Sequence, residues 1–161
     1  HLEFGQAVLV DCHSMPHEAI EPHGRPGHSR PEVVLGDRFG ASAGREVMEV
    51  IEAAFRRAGL RVVRNAPFAG AYITQTYGRP SRRNHAVQVE IDRALYMDEA
   101  RVEKRPDFAA FQRLMACASL VTPTLPVLEA LGGEAAVLAM QPELLDGLLG
   151  VVRSSGATHA A

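Results

Sequence analysis

Four consecutive apolar residues, Ala7-Val8-Leu9-Val10, run without alternation into the polar cluster Asp11-Cys12-His13-Ser14, and the choice of fold narrows there first. A strand with one wet face alternates apolar and polar side chains. A strand that stays apolar must be covered on both faces, as in the parallel sheet of an α/β protein. Gln6 to Asp11 therefore reads as a buried strand, with the polar cluster in a turn at its carboxyl end. Open α/β sheets bind their ligands beyond such ends.

The other elements fit that class. Between Ser42 and Ala58, Val47, Val50, Ile51, Ala54, Phe55 and Ala58 recur at steps of three and four, which predicts a helix with one apolar stripe. Ser42 is its expected N-cap and Gly59 its stop. Leu60 to Arg64 reads as a strand, and Pro31 to Gly36 as a short one. His85 to Ile91 reads as a third main strand, with Val87, Val89 and Ile91 on one face and Gln88, Glu90 and Asp92 on the other. A polar face on a central strand is unusual unless it lines a site. Phe108 to Leu120 is expected to be helical, and Val127–Leu131, Glu134–Met140 and Pro142–Val152 to form further short helices. Met15 to Arg30 and Asn65 to Pro80 read as loops, and Ser154 to Ala161 as a frayed end. Strand, helix, strand, loop, strand, helix is an α/β order.

Composition excludes several functions. The 161 residues, 17.4 kDa, give room for one domain of ordinary size. Lys+Arg 17 against Asp+Glu 19 lacks the basic excess of a nucleic-acid binder. No apolar run approaches the roughly 20 residues of a membrane span. Cys12 and Cys117 have no CxxC spacing, which fits two thiols in a reducing compartment better than a disulfide scaffold. The chain begins at His1 without a Met or a signal-like segment, so a secretory reading has no support and a cytoplasmic one is preferred.

Few residues have the character that chemistry needs. A neutral His13 at a strand end can ligate zinc or act as a base, with Asp11 two residues away to orient it; the alternative is a hydrogen-bonded histidine in a turn. Glu90 on its polar strand face can serve as a general base, or can simply pair with Arg93. Asn65, Tyr72 and Arg79 lie in a loop suited to holding a carboxylate, with Arg79 as a bidentate donor, and the same loop reads equally as ordinary surface. Arg79, Arg82 and Arg83 make a local basic patch. His17, His23 and His28 match no compact metal motif and read as a loop over a site.

Several segments together resemble the N-formylglutamate amidohydrolases. They are Val8-Leu9-Val10-Asp11-Cys12-His13-Ser14-Met15-Pro16, Gly36-Asp37-Arg38-Phe39-Gly40, Asn65-Ala66-Pro67-Phe68-Ala69-Gly70 with Tyr72, Tyr77-Gly78-Arg79-Pro80, and His85 to Arg93 with Leu95-Tyr96-Met97-Asp98. They occur in family order over roughly residues 1–120. The family is related in fold to the zinc carboxypeptidases and aspartoacylases. The resemblance therefore implies a three-layer α/β/α domain with a mostly parallel or mixed sheet, truncated at its N-terminus, over 1–120, with 121–161 as a helical extension. It implies zinc-dependent hydrolysis of N-formyl-L-glutamate to glutamate and formate, in histidine breakdown, or of a related N-acyl amino acid. By the same resemblance His13 is a zinc ligand and Glu90 the general base, while Arg79, Asn65 and Tyr72 take substrate carboxylates.

The departures from the family are equally specific. The His-x-x-Glu-like segment that supplies the other zinc ligands is expected upstream of His1, and Ala71 stands where the family usually has a second Gly. One ligand cannot hold a catalytic zinc. The alternative reading is a shortened, non-catalytic relative that binds an acidic small molecule or a partner protein. A domain lacking its first strands could also dimerise along an exposed sheet edge. The expected partner is a small carboxylate-bearing substrate, with no nucleic acid and no membrane.

Overall fold

The structure is a computed structural model that describes residues 5–20, 30–121 and 136–139. Its centre is β1 (Ala7–Met15), paired in parallel along its whole length with β4 (Asn84–Asp92). Beyond β4 lie β2 (Val33–Gly36), antiparallel to it, and β3 (Val62–Arg64), parallel to β2. The order is β3-β2-β4-β1-β7, where β7 is Ala136–Ala139, so the sheet is mixed. A two-stranded ribbon of β5 (Met97–Asp98) and β6 (Glu103–Lys104) follows β4.

Helix α1 (Arg45–Arg57) buries Val47, Met48, Ile51, Ala54 and Phe55. Val47, Met48, Ile51 and Phe55 meet Val33, Leu35, Val62, Val87, Val89 and Ile91 from the sheet in one apolar core, against which Phe111, Leu114 and Met115 of α3 (Phe108–Val121) also pack. The short α2 (Tyr72–Tyr77) contacts β4 and β1, and the N–H of the residue before it, Ala71, bonds to the Gln88 side chain. Two long helices on one face and a short one on the other realise the three layers in reduced form.

The structure corrects several expectations. β1 does not stop at Asp11: it continues through Met15, because the parallel ladder with β4 runs on in register as far as Asp92. The N-cap of α1 is Gly44, not Ser42. The Ser42 hydroxyl instead donates to the Ala86 carbonyl at 2.8 Å, tying the helix approach to β4. Gly59, at φ +84°, ends the helix as expected. The loop over Asn65–Pro80 contains α2. Within Glu134–Met140, read as helical, the residues Ala136–Ala139 form a strand: a second unbroken apolar run, it finds the same kind of parallel partner as the first, along Ala7–Val10. β7 thus covers the first half of β1's outer edge, and among the described residues Asp11–Met15 has no strand on that side. The helices expected at Val127–Leu131 and Pro142–Val152 lie outside the described residues.

Candidate active site

Parallel pairing places His13 opposite Glu90, Asp11 opposite Gln88 and Met15 opposite Asp92. Directly paired residues project to the same side of a sheet. One face of the two central strands therefore carries Asp11, His13, Gln88, Glu90 and Asp92 together, away from the apolar core. Because the strand continues past Asp11, His13 sits within the ladder, one strand from Glu90, and not in a turn beyond it.

The polar side chains of this face are nearly all buried. Glu90 is 8% exposed, and its Oε1 accepts a hydrogen bond from Gln88 Nε2 at 2.6 Å. Among the described residues it forms no ion pair. Its expected alternative partner, Arg93, turns to the Ser14 hydroxyl and carbonyl at 3.3 and 3.4 Å. Gln88 uses its other end to accept the Ala71 N–H at 2.8 Å, so one amide links the loop before α2 to the Glu90 carboxylate. The Nε2 of His13 lies 2.9 Å from Asp11 Oδ2 but is buried without a hydrogen-bond partner. An imidazole nitrogen held beside a carboxylate and satisfied by no donor or acceptor is available to a ligand. Burial, and then the neighbouring Asp11, push the thiol of Cys12 up to about 11, which removes it as a nucleophile at neutral pH.

Past the end of β4 the polar face continues. Asp92 Oδ2 is 2.8 Å from Nδ1 of His17, whose Nε2 lies 2.6 Å from Arg30. Arginine can only donate, so His17 carries its proton on Nδ1 and gives it to Asp92. A pocket of about 330 Å³ opens beside this pair, lined by His17, Glu18, Ala94, Met97 and Glu99. His17 thus belongs to a short 3₁₀ turn, His17–Ile20, anchored to the end of β4. His23 and His28 lie outside the described residues.

The three residues assigned to carboxylate binding fall elsewhere. Asn65, at φ +59°, spends its amide on the turn after β2: Oδ1 accepts the N–H of Asp37 and of Phe39 at 3.0 and 3.3 Å, and Nδ2 donates to Asp37 Oδ1 at 2.6 Å. Arg79 is exposed and donates to the carbonyls of Gln75 and Gly78 at 2.8 and 2.5 Å. Tyr72 opens α2 and is 71% exposed. The register brings Asp11, His13 and Glu90 together; among the described residues no hydrogen bond or ion pair joins these three to that group. Sequence reading missed Gln88 as the connection between the regions, although its place on the polar face was visible in the alternation. It also missed the chain from Asp92 through His17 to Arg30, for which the sequence carries no local signal.

Residues 1–97 match the family model of N-formylglutamate amidohydrolase. Over 98 residues the chain is 40% identical to the N-formylglutamate deformylase of Pseudomonas aeruginosa and 37% identical to that of Pseudomonas putida. Each alignment takes in 60% of this chain and 36% of the relative, so the chain spans about a third of the length of the curated relatives it matches. The crystal structure of N-formylglutamate amidohydrolase from Ralstonia eutropha JMP134 superposes with a TM-score of 0.68 at 31% identity, over 81% of this chain and 46% of that one. Among the described residues no helix is long and apolar enough to cross a membrane. The matched stretch holds β1, β4 and every residue of their shared polar face, and by it this chain belongs to the N-formylglutamate amidohydrolase family.

Proposed function

We propose that this chain carries part of the catalytic centre of a zinc-dependent amidohydrolase that cleaves N-formyl-L-glutamate, or a related N-acyl amino acid, into the amino acid and formate or the corresponding acid. The observation that carries this reading is the in-register placement of His13 beside the buried Glu90 on one polar face. It is supported by the family match and by the names of the relatives.

The residues present fit a zinc ion in part. His13 Nε2, buried and unpartnered, fits as one ligand, with Asp11 beside it. A catalytic zinc takes three protein ligands, and the described residues hold no group of three His, Cys, Asp or Glu able to supply them. In this reading the remaining ligands come from outside the described residues. What a zinc ion supplies at such a site is Lewis acidity toward the scissile carbonyl and a water acidic enough to attack near neutral pH.

The work of this chain falls to Glu90. Gln88 fixes its Oε1, leaving Oε2 to accept the proton of the attacking water. As the C–N bond breaks, the same oxygen returns that proton to the leaving amine nitrogen. Substitution E90Q keeps the shape and removes the base, so kcat for formate release should fall by about 10²- to 10⁴-fold. H13A should lower the zinc content of the intact protein, measured by elemental analysis after dialysis. Full activity in both variants would overturn the proposal. Binding of glutamate without turnover in the wild type would favour the non-catalytic binding relative instead.

A further inference from the structure

Among the described arginines, most are exposed or have a partner. Arg56 and Arg64 meet Glu52, Arg61 meets Glu32, Arg93 meets Ser14, and Arg30 meets His17. Arg38 is half-buried, and its guanidinium makes no hydrogen bond or ion pair among the described residues. A guanidinium with no partner among the described residues has its whole donor fork open to a carboxylate.

The backbone that carries Arg38 is unusual and firmly held. Arg38, Phe39 and Gly40 have φ of +54°, +56° and +88°, three consecutive residues in the left-handed region, two of them not glycine. L-residues adopt this conformation at a cost, and such strain concentrates where a ligand is positioned. The turn is clamped from outside: Arg38 N–H donates to the Ala69 carbonyl at 2.7 Å, and the Asn65 side chain holds Asp37 and Phe39. Two glycines let the loops approach. A Cβ on Gly36 would lie 2.6 Å from Gly70 N, and one on Gly70 would lie 3.3 Å from Cγ of Arg38. The stem of Arg38 therefore rests against Gly70. The next residue, Ala71, donates to Gln88, and Gln88 donates to Glu90. One loop thus links the stem of Arg38, whose guanidinium has no partner among the described residues, to the carboxylate assigned as base.

We infer that Arg38 is the anion anchor of this site, taking a carboxylate of the substrate as a bidentate donor and setting the distance between that carboxylate and the amide presented to Glu90. The inference rests on the hydrolase reading above and deepens it. It moves carboxylate recognition from Arg79, whose guanidinium is folded onto helix-end carbonyls, to the turn after β2.

The test uses R38N in the intact protein, because asparagine tolerates positive φ and the substitution removes the cation without a new backbone demand. Loss of a charge-assisted contact should lower kcat/KM for N-formyl-L-glutamate by about 10- to 100-fold. L-glutamate binding, measured by calorimetry, should weaken by a similar factor. R38K should recover part of both, since it restores the charge without the fork. N-formyl-L-glutamine as a second substrate locates the contact. A loss confined to N-formyl-L-glutamate assigns the side-chain carboxylate, and an equal loss on both assigns the α-carboxylate. An R38N protein as active and as tightly binding as wild type, or a loss seen in R79A and not in R38N, overturns the assignment while leaving the hydrolase standing. A wild-type protein that neither turns over N-formyl-L-glutamate nor binds glutamate overturns both.

Discussion

Along β4 the side chains alternate between two buried environments of opposite chemistry. Val87, Val89 and Ile91, 0–4% exposed, meet the helices α1 and α3 in a continuous apolar core. Gln88, Glu90 and Asp92, 3–8% exposed, face the other way and meet Ala71, each other and His17. Both faces are dry, but they are held differently. The apolar face is held by burial and dispersion, which are tolerant of exact placement. The polar face is held by directional bonds, and each polar group on it would cost free energy if left without a partner. The comparison separates the face that keeps the chain folded from the face to which the proposed function assigns the chemistry.

The largest expected effect breaks the apolar side. Leu35 is 0% exposed within the core, and L35A should cost about 2–5 kcal/mol in urea unfolding, from lost transfer free energy and the cavity left behind. On the polar side, E90Q keeps an oxygen facing Gln88 and should change the unfolding free energy by less than about 1 kcal/mol while abolishing most turnover. If E90Q destabilised the protein as much as L35A, the polar face would be structural and the division drawn here would fail.

A smaller effect sharpens the boundary between holding and reacting. Gln88 touches no reacting atom in the proposed mechanism; it positions Glu90 and the loop at Ala71. In Q88A the bond to the carboxylate is lost, and a bond to a charged group is worth about 1.5–3 kcal/mol. We expect kcat to fall by about tenfold with KM nearly unchanged, together with faster hydrogen exchange at the Ala71 amide. A fall in stability without any change in kcat would reduce Gln88 to a packing residue.

How much of this was legible depends on the range of the interaction. The unbroken run Ala7–Val10 and the alternation in His85–Ile91 are local patterns, and both predicted strands are present in the structure. The stripe on α1 was legible too, although Met48 is buried where Val50 was expected, and Val50 is only half-buried. What failed was decided by distant partners. Asp11–Ser14 looks like a turn by composition, yet β4 extends the ladder through it. Ala136–Ala139 fits a helix until a parallel neighbour is available at Ala7–Val10. In the site, His13 and Glu90 were selected for their chemistry, and the register then brought them together. Sequence reading assigned the carboxylate to Arg79 and did not weigh Arg38, and nothing in sequence tells a guanidinium spent on its own helix end from one with no partner among the described residues. Asn65 is ambiguous in the same way: an amide suited to a ligand is equally suited to clamping a left-handed turn, as it does here.

The smallest effect tests the rim between the two faces. His85 lies in register with Val8, on the apolar side of β4, and is 5% exposed. Its Nδ1 accepts the N–H of Gly44, the N-cap of α1, at 2.9 Å, a helix start that has no side-chain cap of its own. A protonated imidazole could not accept that bond. Burial lowers its pKa below the usual histidine value; Glu46 opposes the shift and Arg83 adds to it. The folded state therefore resists protonation more than the unfolded chain does. Above the ordinary histidine pKa of about 6.5 neither state binds the proton, and His85 adds no pH dependence. As pH falls through that value the unfolded chain takes up the proton first, so stability should decline until the folded state is protonated too. Urea unfolding at pH 7.5 and 5.5 measures the decline, and H85N, which offers an oxygen to Gly44 without titrating, should flatten it. An equally steep decline in H85N would assign the pH dependence to other groups and leave the start of α1 held by packing against the apolar face alone.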